Sequence, residues 1–159
     1  MSLFNDITLT DSIEIKATPE RIFEFFTNLS EGENYRSWHP QDHVSFRWVK
    51  GNPWQVGSVV YAEEYIHGKL HKLKFIVTRV IPNKLIEYTP GNPILRFYCP
   101  KNTFAVDRKG DICVFTASGT YRVGWLAKTF AGKKVEYGLS SVRKHMKEEG
   151  ENLKRMLEG

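Results

Sequence analysis

Residues 134–157 read KVEYGLSSVRKHMKEEGENLKRML, and this stretch decides the fold. Val135, Leu139, Val142, Met146, Leu153 and Met156 recur at spacings built from three and four, which predicts a long closing helix from about Lys134 to Leu157 with one apolar face. One position breaks the stripe. Continuing it through 149 calls for an apolar residue, and the chain has Glu149, with His145 one turn earlier on the same edge. A carboxylate buried without a partner costs on the order of several kcal/mol. Glu149 therefore needs a metal, another cation or a proton, unless the helix rolls and leaves it in water beside Lys147 or Arg143.

Upstream of that helix the chain reads as strands. Val44–Lys50, Ser58–His67, Leu70–Ile81, Leu85–Thr89, Ile94–Tyr98, Asn102–Arg108 and Asp111–Ser118 are separated by turn signals such as Gly51-Asn52-Pro53, Gly68-Lys69, Pro82-Asn83-Lys84 and Lys109-Gly110. A first strand, Ile7 to Lys16, precedes a helix opened by Thr18-Pro19-Glu20, where Thr18 is the N-cap and Pro19 the first helical residue. Ser30 to Asp42 reads as irregular or briefly helical. A strand, helices, an antiparallel meander and one closing helix make a two-layer α+β fold, one domain over residues 1–159.

Two further segments carry polar residues where apolar ones are expected. With Gly68-Lys69 as a two-residue loop, Glu64 faces Leu73 on the apolar side of the hairpin, between Ala62 and Ile66, with no cation across from it. A bulge would turn Glu63 inward instead, but Leu73, Phe75 and Val77 alternating with Lys72 and Lys74 favour Glu64. The segment Tyr35-Arg36-Ser37-Trp38-His39-Pro40-Gln41-Asp42-His43 is a loop feeding the next strand, since Pro40 forbids one continuous helix. His43, or His39, together with Glu64, His145 and Glu149 offers two imidazoles and two carboxylates from distant parts of the chain, a donor set suited to Zn²⁺ or another divalent ion.

The order of elements resembles the helix-grip superfamily of START-like and birch-pollen-allergen-like domains, in which a curved antiparallel sheet wraps the last helix around an internal cavity. Tyr35-x-x-Trp38-His39-Pro40-x-Asp42-His43-Val44-Ser45, Glu64-Tyr65-Ile66 and His145-x-x-Glu148-Glu149-x-x-Asn152-Leu153 resemble the 2,4-diacetylphloroglucinol hydrolases, a zinc-dependent branch that cleaves the bond between an acetyl group and a phenolic ring. The resemblance implies metal ligation by His43, Glu64, His145 and Glu149, with Glu64 or Glu149 as base and Tyr35 touching the substrate. His39, Phe75, Phe97 and Phe104 are expected around a small hydrophobic or phenolic molecule, with Tyr61 and Trp125 as further aromatic candidates for the wall. The competing function is a carrier or sensor that holds an apolar ligand in the same cavity without a metal.

Composition narrows the rest. The chain has 159 residues, of which 41% are hydrophobic and 26% charged, which argues against disorder. No apolar run approaches the ~20 residues of a membrane helix, and the start lacks a signal-peptide layout, so a cytoplasmic protein with no membrane partner is expected. Net charge is +5, much of it late in Lys128, Lys133, Lys134, Arg143, Lys144, Lys147, Lys154 and Arg155. That pattern reads as the wet side of a helix, and with no zinc-finger or RNP-type motif no nucleic-acid partner is expected. Cys99 and Cys113 form neither a disulfide framework nor a CxxC site, and there is no phosphate loop, GxGxxG or GxSxG. Oligomeric state is not legible.

Overall fold

The computed structural model describes residues 2–29 and 33–159, so Met1 and the first three residues of the Ser30 to Asp42 segment lie outside it. Its elements run β1 (Phe4–Ile15), α1 (Pro19–Thr27), α2 (Glu33–Trp38), β2 (His43–Lys50), β3 (Val59–Ile66), β4 (Lys69–Ile81), β5 (Leu85–Pro90), α3 (Pro93–Tyr98), β6 (Lys101–Lys109), β7 (Ile112–Gly124), α4 (Trp125–Phe130) and α5 (Gly132–Glu158). The strands form one seven-stranded antiparallel sheet in the order β1-β7-β6-β5-β4-β3-β2, and α1 and α2 carry the chain from one edge of it to the other. This curved sheet with its long closing helix is the helix-grip arrangement expected.

Local chemistry explains the elements. Thr18 caps α1 by accepting the Arg21 N–H, and Ile22, Phe23 and Phe26 form its buried face. Phe26 is the hub of the core. Its ring stacks on Phe104 at 5.0 Å and Phe115 at 5.6 Å, and meets Trp38 edge-on at 5.5 Å. Helix α5 seats Met146, Leu153 and Leu157 on the core and lies along β1. Gly150 lies against β1, where a Cβ would meet the Ile13 side chain at 3.4 Å, an ordinary contact distance.

Four expectations are corrected. Ile94–Tyr98 is helical, because the Asn92 side chain accepts the N–H groups of Ile94 and Leu95 and Pro93 takes the first helical position. The β3–β4 loop is His67-Gly68, both at positive φ, as a tight hairpin turn of this class requires. Partner numbers therefore sum to 135, with Glu64 opposite His71. The offset of two preserves which face each residue occupies, so the inward reading of Glu64 is unaffected. Helix α4, unanticipated, precedes α5, and the apolar stripe of α5 ends on buried Leu157, with Met156 exposed.

Candidate functional site

A cavity of about 440 Å³ lies between the sheet and α5. Its wall is aromatic and aliphatic, with Phe46, Phe75, Tyr88, Phe104 and Val142 among its residues. Tyr35, Glu64, His145 and Glu149 also border it.

Each polar side chain has a positioning device. His43 opens β2 directly opposite Glu64 on β3, and the register slips between His43 and Ser45, an irregularity of the kind that re-aims side chains. The turn before it is closed by the His43 N–H donating to the His39 carbonyl at 2.9 Å. His145 and Glu149 are one turn apart on α5. The Trp38 indole N–H donates to the Glu149 carbonyl at 3.0 Å, which ties α2 to the same turn.

The side chains converge on one carboxylate oxygen. His43 Nε2 and His145 Nε2 each lie 2.8 Å from Glu149 Oε1, and Glu64 Oε2 is 3.9 Å from His43 Nε2. Tyr35 donates its hydroxyl to Glu64 Oε2 at 2.7 Å and stacks on the His43 ring at 3.9 Å. Both imidazoles are oriented from behind: His43 Nδ1 donates to the Tyr35 carbonyl at 2.9 Å, and His145 Nδ1 donates to Asp42 Oδ2 at 2.9 Å. With both Nδ1 atoms committed as donors, a neutral imidazole would aim an Nε2 lone pair at the Glu149 oxygen. The cluster closes only if protons or a cation lie between these facing nitrogen and oxygen atoms.

Electrostatics follow from that closure. Burial alone would lower the His145 pKa, but the charge and hydrogen bond of Glu149, then Glu64 and Asp42, outweigh it and hold it at about 10. Burial would raise Glu149, yet His145 and His43 hold its carboxyl well below the usual carboxylate range. Burial, then the charge and hydrogen bond of Glu64, push the Tyr35 phenol well above its ordinary value, so it stays a donor. A pH dependence of stability results. The His145 contribution is complete below its ordinary 6.5 and is lost as pH rises toward about 10. The Glu149 contribution is complete above its ordinary 4.5 and is lost on acidification. Thermal midpoints of the protein in the presence of a chelator are expected to be highest between these ordinary values and to fall on the alkaline side. A profile that stays flat from neutrality to pH 10 would contradict this reading.

The structure thus brings together His43, Glu64, His145, Glu149 and Tyr35. Glu63 is on the other face, accepting the Tyr61 hydroxyl at 2.6 Å, and Tyr61 lies under the Arg47 guanidinium, away from the cavity. His39 is buried behind the site, where its Nε2 donates to Glu148 Oε2 at 2.8 Å and its Nδ1 accepts the Asp42 N–H, so it does not border the cavity as expected. Phe97 is likewise off the wall: it sits on α3 against Phe4 and Arg122 because that segment is helical. Trp125 is half exposed on α4. Phe75 and Phe104 do line the cavity. Asp42 and Glu148, which orient the histidines, carry no local signal in the sequence although each is the neighbour of a site residue, since neither stands on an apolar face.

Comparisons with known proteins place the fold. The family described as polyketide cyclase / dehydrase and lipid transport matches residues 6–158. No curated protein matches the chain. Among solved structures, the di-domain ARO/CYC BexL from the BE-7585A biosynthetic pathway superposes with a TM-score of 0.76 at 12% identity, over 97% of this chain and 50% of that one. The chain therefore spans half of that relative's length. KanY superposes with a TM-score of 0.70 at 15% identity, over 98% of this chain and 99% of that one. Major latex-like protein 151 from Panax ginseng gives 0.62 at 18% identity, covering 91% and 99%. At these identities the likeness to the solved structures is one of fold. None of these matches singles out the diacetylphloroglucinol hydrolases, so that finer likeness rests on the motif residues alone.

Proposed function

Because this chain belongs to the polyketide cyclase / dehydrase and lipid transport family, we propose that its cavity takes a small aromatic, polyketide-like ketone and hydrolyses its aryl–acyl bond with a divalent ion, Zn²⁺ foremost, held by His43, Glu64, His145 and Glu149. The observation that carries this is the meeting of two Nε2 atoms on Glu149 Oε1, with Glu64 beside them and both Nδ1 atoms already occupied. Imidazole and carboxylate donors suit Zn²⁺. A carboxylate or carbonyl behind each histidine is the usual support of a metal-bound imidazole.

When bound, such an ion polarises a carbonyl and acidifies water. The protein's own residues supply the remaining chemistry. Glu64, which accepts the Tyr35 hydrogen bond and borders the cavity, is the base that takes a proton from the attacking water. Water adds to the acyl carbon and the bond to the ring breaks. The electron pair moves into the ring, conjugated with a phenol in its keto form, and the ring carbon takes the proton from Glu64. The products are a carboxylic acid and the deacylated phenol. Tyr35, stacked on His43 and hydrogen-bonded to Glu64, orients the base and offers its hydroxyl edge to the phenolic ligand.

Zinc uptake must displace the His145 proton, so affinity should rise roughly tenfold per pH unit for each proton released below pH 10. Calorimetry in buffers of different ionisation heat measures that release, and uptake without proton release would contradict the assigned ligand. The deciding experiment strips and reloads the protein with zinc, measures metal content, and follows acetate release from acetylated phloroglucinols. Stoichiometric zinc with acetate release supports the reading. Tight binding of the same phenols with neither metal nor turnover supports the second reading, a carrier of apolar ligands, which the largely hydrocarbon wall favours.

A further inference from the structure

Helices α3 and α4 have no buried residue. Short helices in water are normally held by burying an apolar face, and beyond the Phe97–Phe4 contact and Leu95 at the cavity edge these two leave theirs largely open. On α4, Trp125, Leu126 and Phe130 are 51%, 62% and 81% exposed, and on α3 Ile94 is 69% exposed. Their side chains are too many and too close to be the scattered surface hydrophobics of an ordinary monomer.

Both helices stand at one end of the sheet. Helix α4 continues β7 from Gly124, which pairs with Phe4, and the Trp125 N–H donates to the Leu3 carbonyl at 2.9 Å. The Phe4 ring meets Phe97 of α3 at 5.2 Å, which joins the two helices through the start of β1. The β3–β4 hairpin tip reaches the same end, where His67 lies 5.8 Å from Tyr137 of α5, ring to ring. Leu95 of α3 is both exposed and part of the cavity wall, so the cavity edge reaches this surface.

Charge decides what covers it. From Gly124 to Gly138 the chain carries Lys128, Lys133 and Lys134 against one acid, Glu136. Two copies meeting face to face through this end would oppose lysine to lysine around an apolar centre, which disfavours a symmetric dimer. Aromatic and aliphatic side chains interleaved with lysines match the boundary of an anionic bilayer, where rings settle at headgroup depth and ammonium groups meet lipid phosphates. We propose that this end of the molecule docks on an anionic lipid surface through Trp125, Leu126 and Phe130, with Lys128, Lys133 and Lys134 providing the electrostatic attraction. The contact is peripheral, since no helix among the described residues is long and apolar enough to cross a membrane. It places the cavity edge against the lipid, from which an apolar ligand partitions.

The test is flotation of the full chain with phosphatidylcholine vesicles, with and without about one-third phosphatidylglycerol, at low and high salt. Binding at least tenfold tighter to the anionic vesicles, and weakened by salt, is expected. The Leu126→Glu/Phe130→Glu variant should lose tenfold or more while keeping its thermal midpoint, because both side chains are exposed in the free protein. Reversing the three lysines should cost about fivefold for each. Absence of wild-type binding to the anionic vesicles overturns the proposal, as does binding that neither variant alters. A concentration-dependent dimer dissolved by Phe130→Glu assigns the face to a second copy and overturns it as well.

Discussion

Glu149→Gln is expected to weaken zinc binding by about 100-fold or more and to abolish acetate release with it. The amide keeps the size of the side chain but loses the charge on which His43 and His145 converge. It also turns a donor toward one of the two imidazoles if it flips, so the cluster cannot be rebuilt by rotation. The same variant should flatten the alkaline fall in thermal midpoint of the metal-free protein, because the His145 proton is held mainly by the Glu149 charge. Glu149→Ala is a poorer probe. It leaves two buried imidazoles without their acceptor and risks unfolding the zinc-free chain, a cost of about 3–5 kcal/mol for a broken buried pair. Glu63→Gln is the matched control: Glu63 accepts from Tyr61 on the opposite face and should leave zinc content and turnover unchanged. Undiminished zinc content in Glu149→Gln would remove the metal site from consideration.

Phe26→Ala should be the most destabilising single change in the core, by about 3–5 kcal/mol. Its ring is 1% exposed and is packed against Phe104, Phe115, Trp38 and Phe25, so no neighbour can collapse into the space without breaking another contact. At the few degrees per kcal/mol typical of a chain this long, the thermal midpoint should drop by roughly 10 °C or more. Phe26 also borders the ligand cavity, so its loss enlarges that space and should shift preference toward bulkier phenols. Phe97→Ala, at an exposed position on α3, should cost far less. A Phe26→Ala midpoint within a degree or two of wild type would show that the core is not organised around this ring.

Periodicity made most of the framework readable. The three-four spacing of Val135 to Leu153 marked a helix with one wet and one dry face, and alternation of Leu73, Phe75 and Val77 with lysines marked which side of β4 and its partner points inward. Those patterns follow from the fixed geometry of a single helix or strand, which depends on nothing distant. Glu149 and Glu64 could be picked out for the same reason: each breaks a local apolar pattern. The helix over Pro93–Tyr98 carries an Asn-Pro cap in the sequence, but Ile94, Phe97 and Tyr98 suit a strand as well and six residues are too few for periodicity to separate the two.

The chain order alone therefore determined a helix-grip sheet and the polar intruders on its inner faces. Only the tertiary structure decided that His43 rather than His39 meets Glu149, that Asp42 and Glu148 stand behind the histidines, and that Phe97 faces outward. The third outcome depends on the helicity of α3, and the first two on the register slip between His43 and Ser45 and on how α2 is anchored to α5 through Trp38. Both join residues more than a hundred positions apart, or hinge on one extra residue in a strand, and no local spacing encodes either.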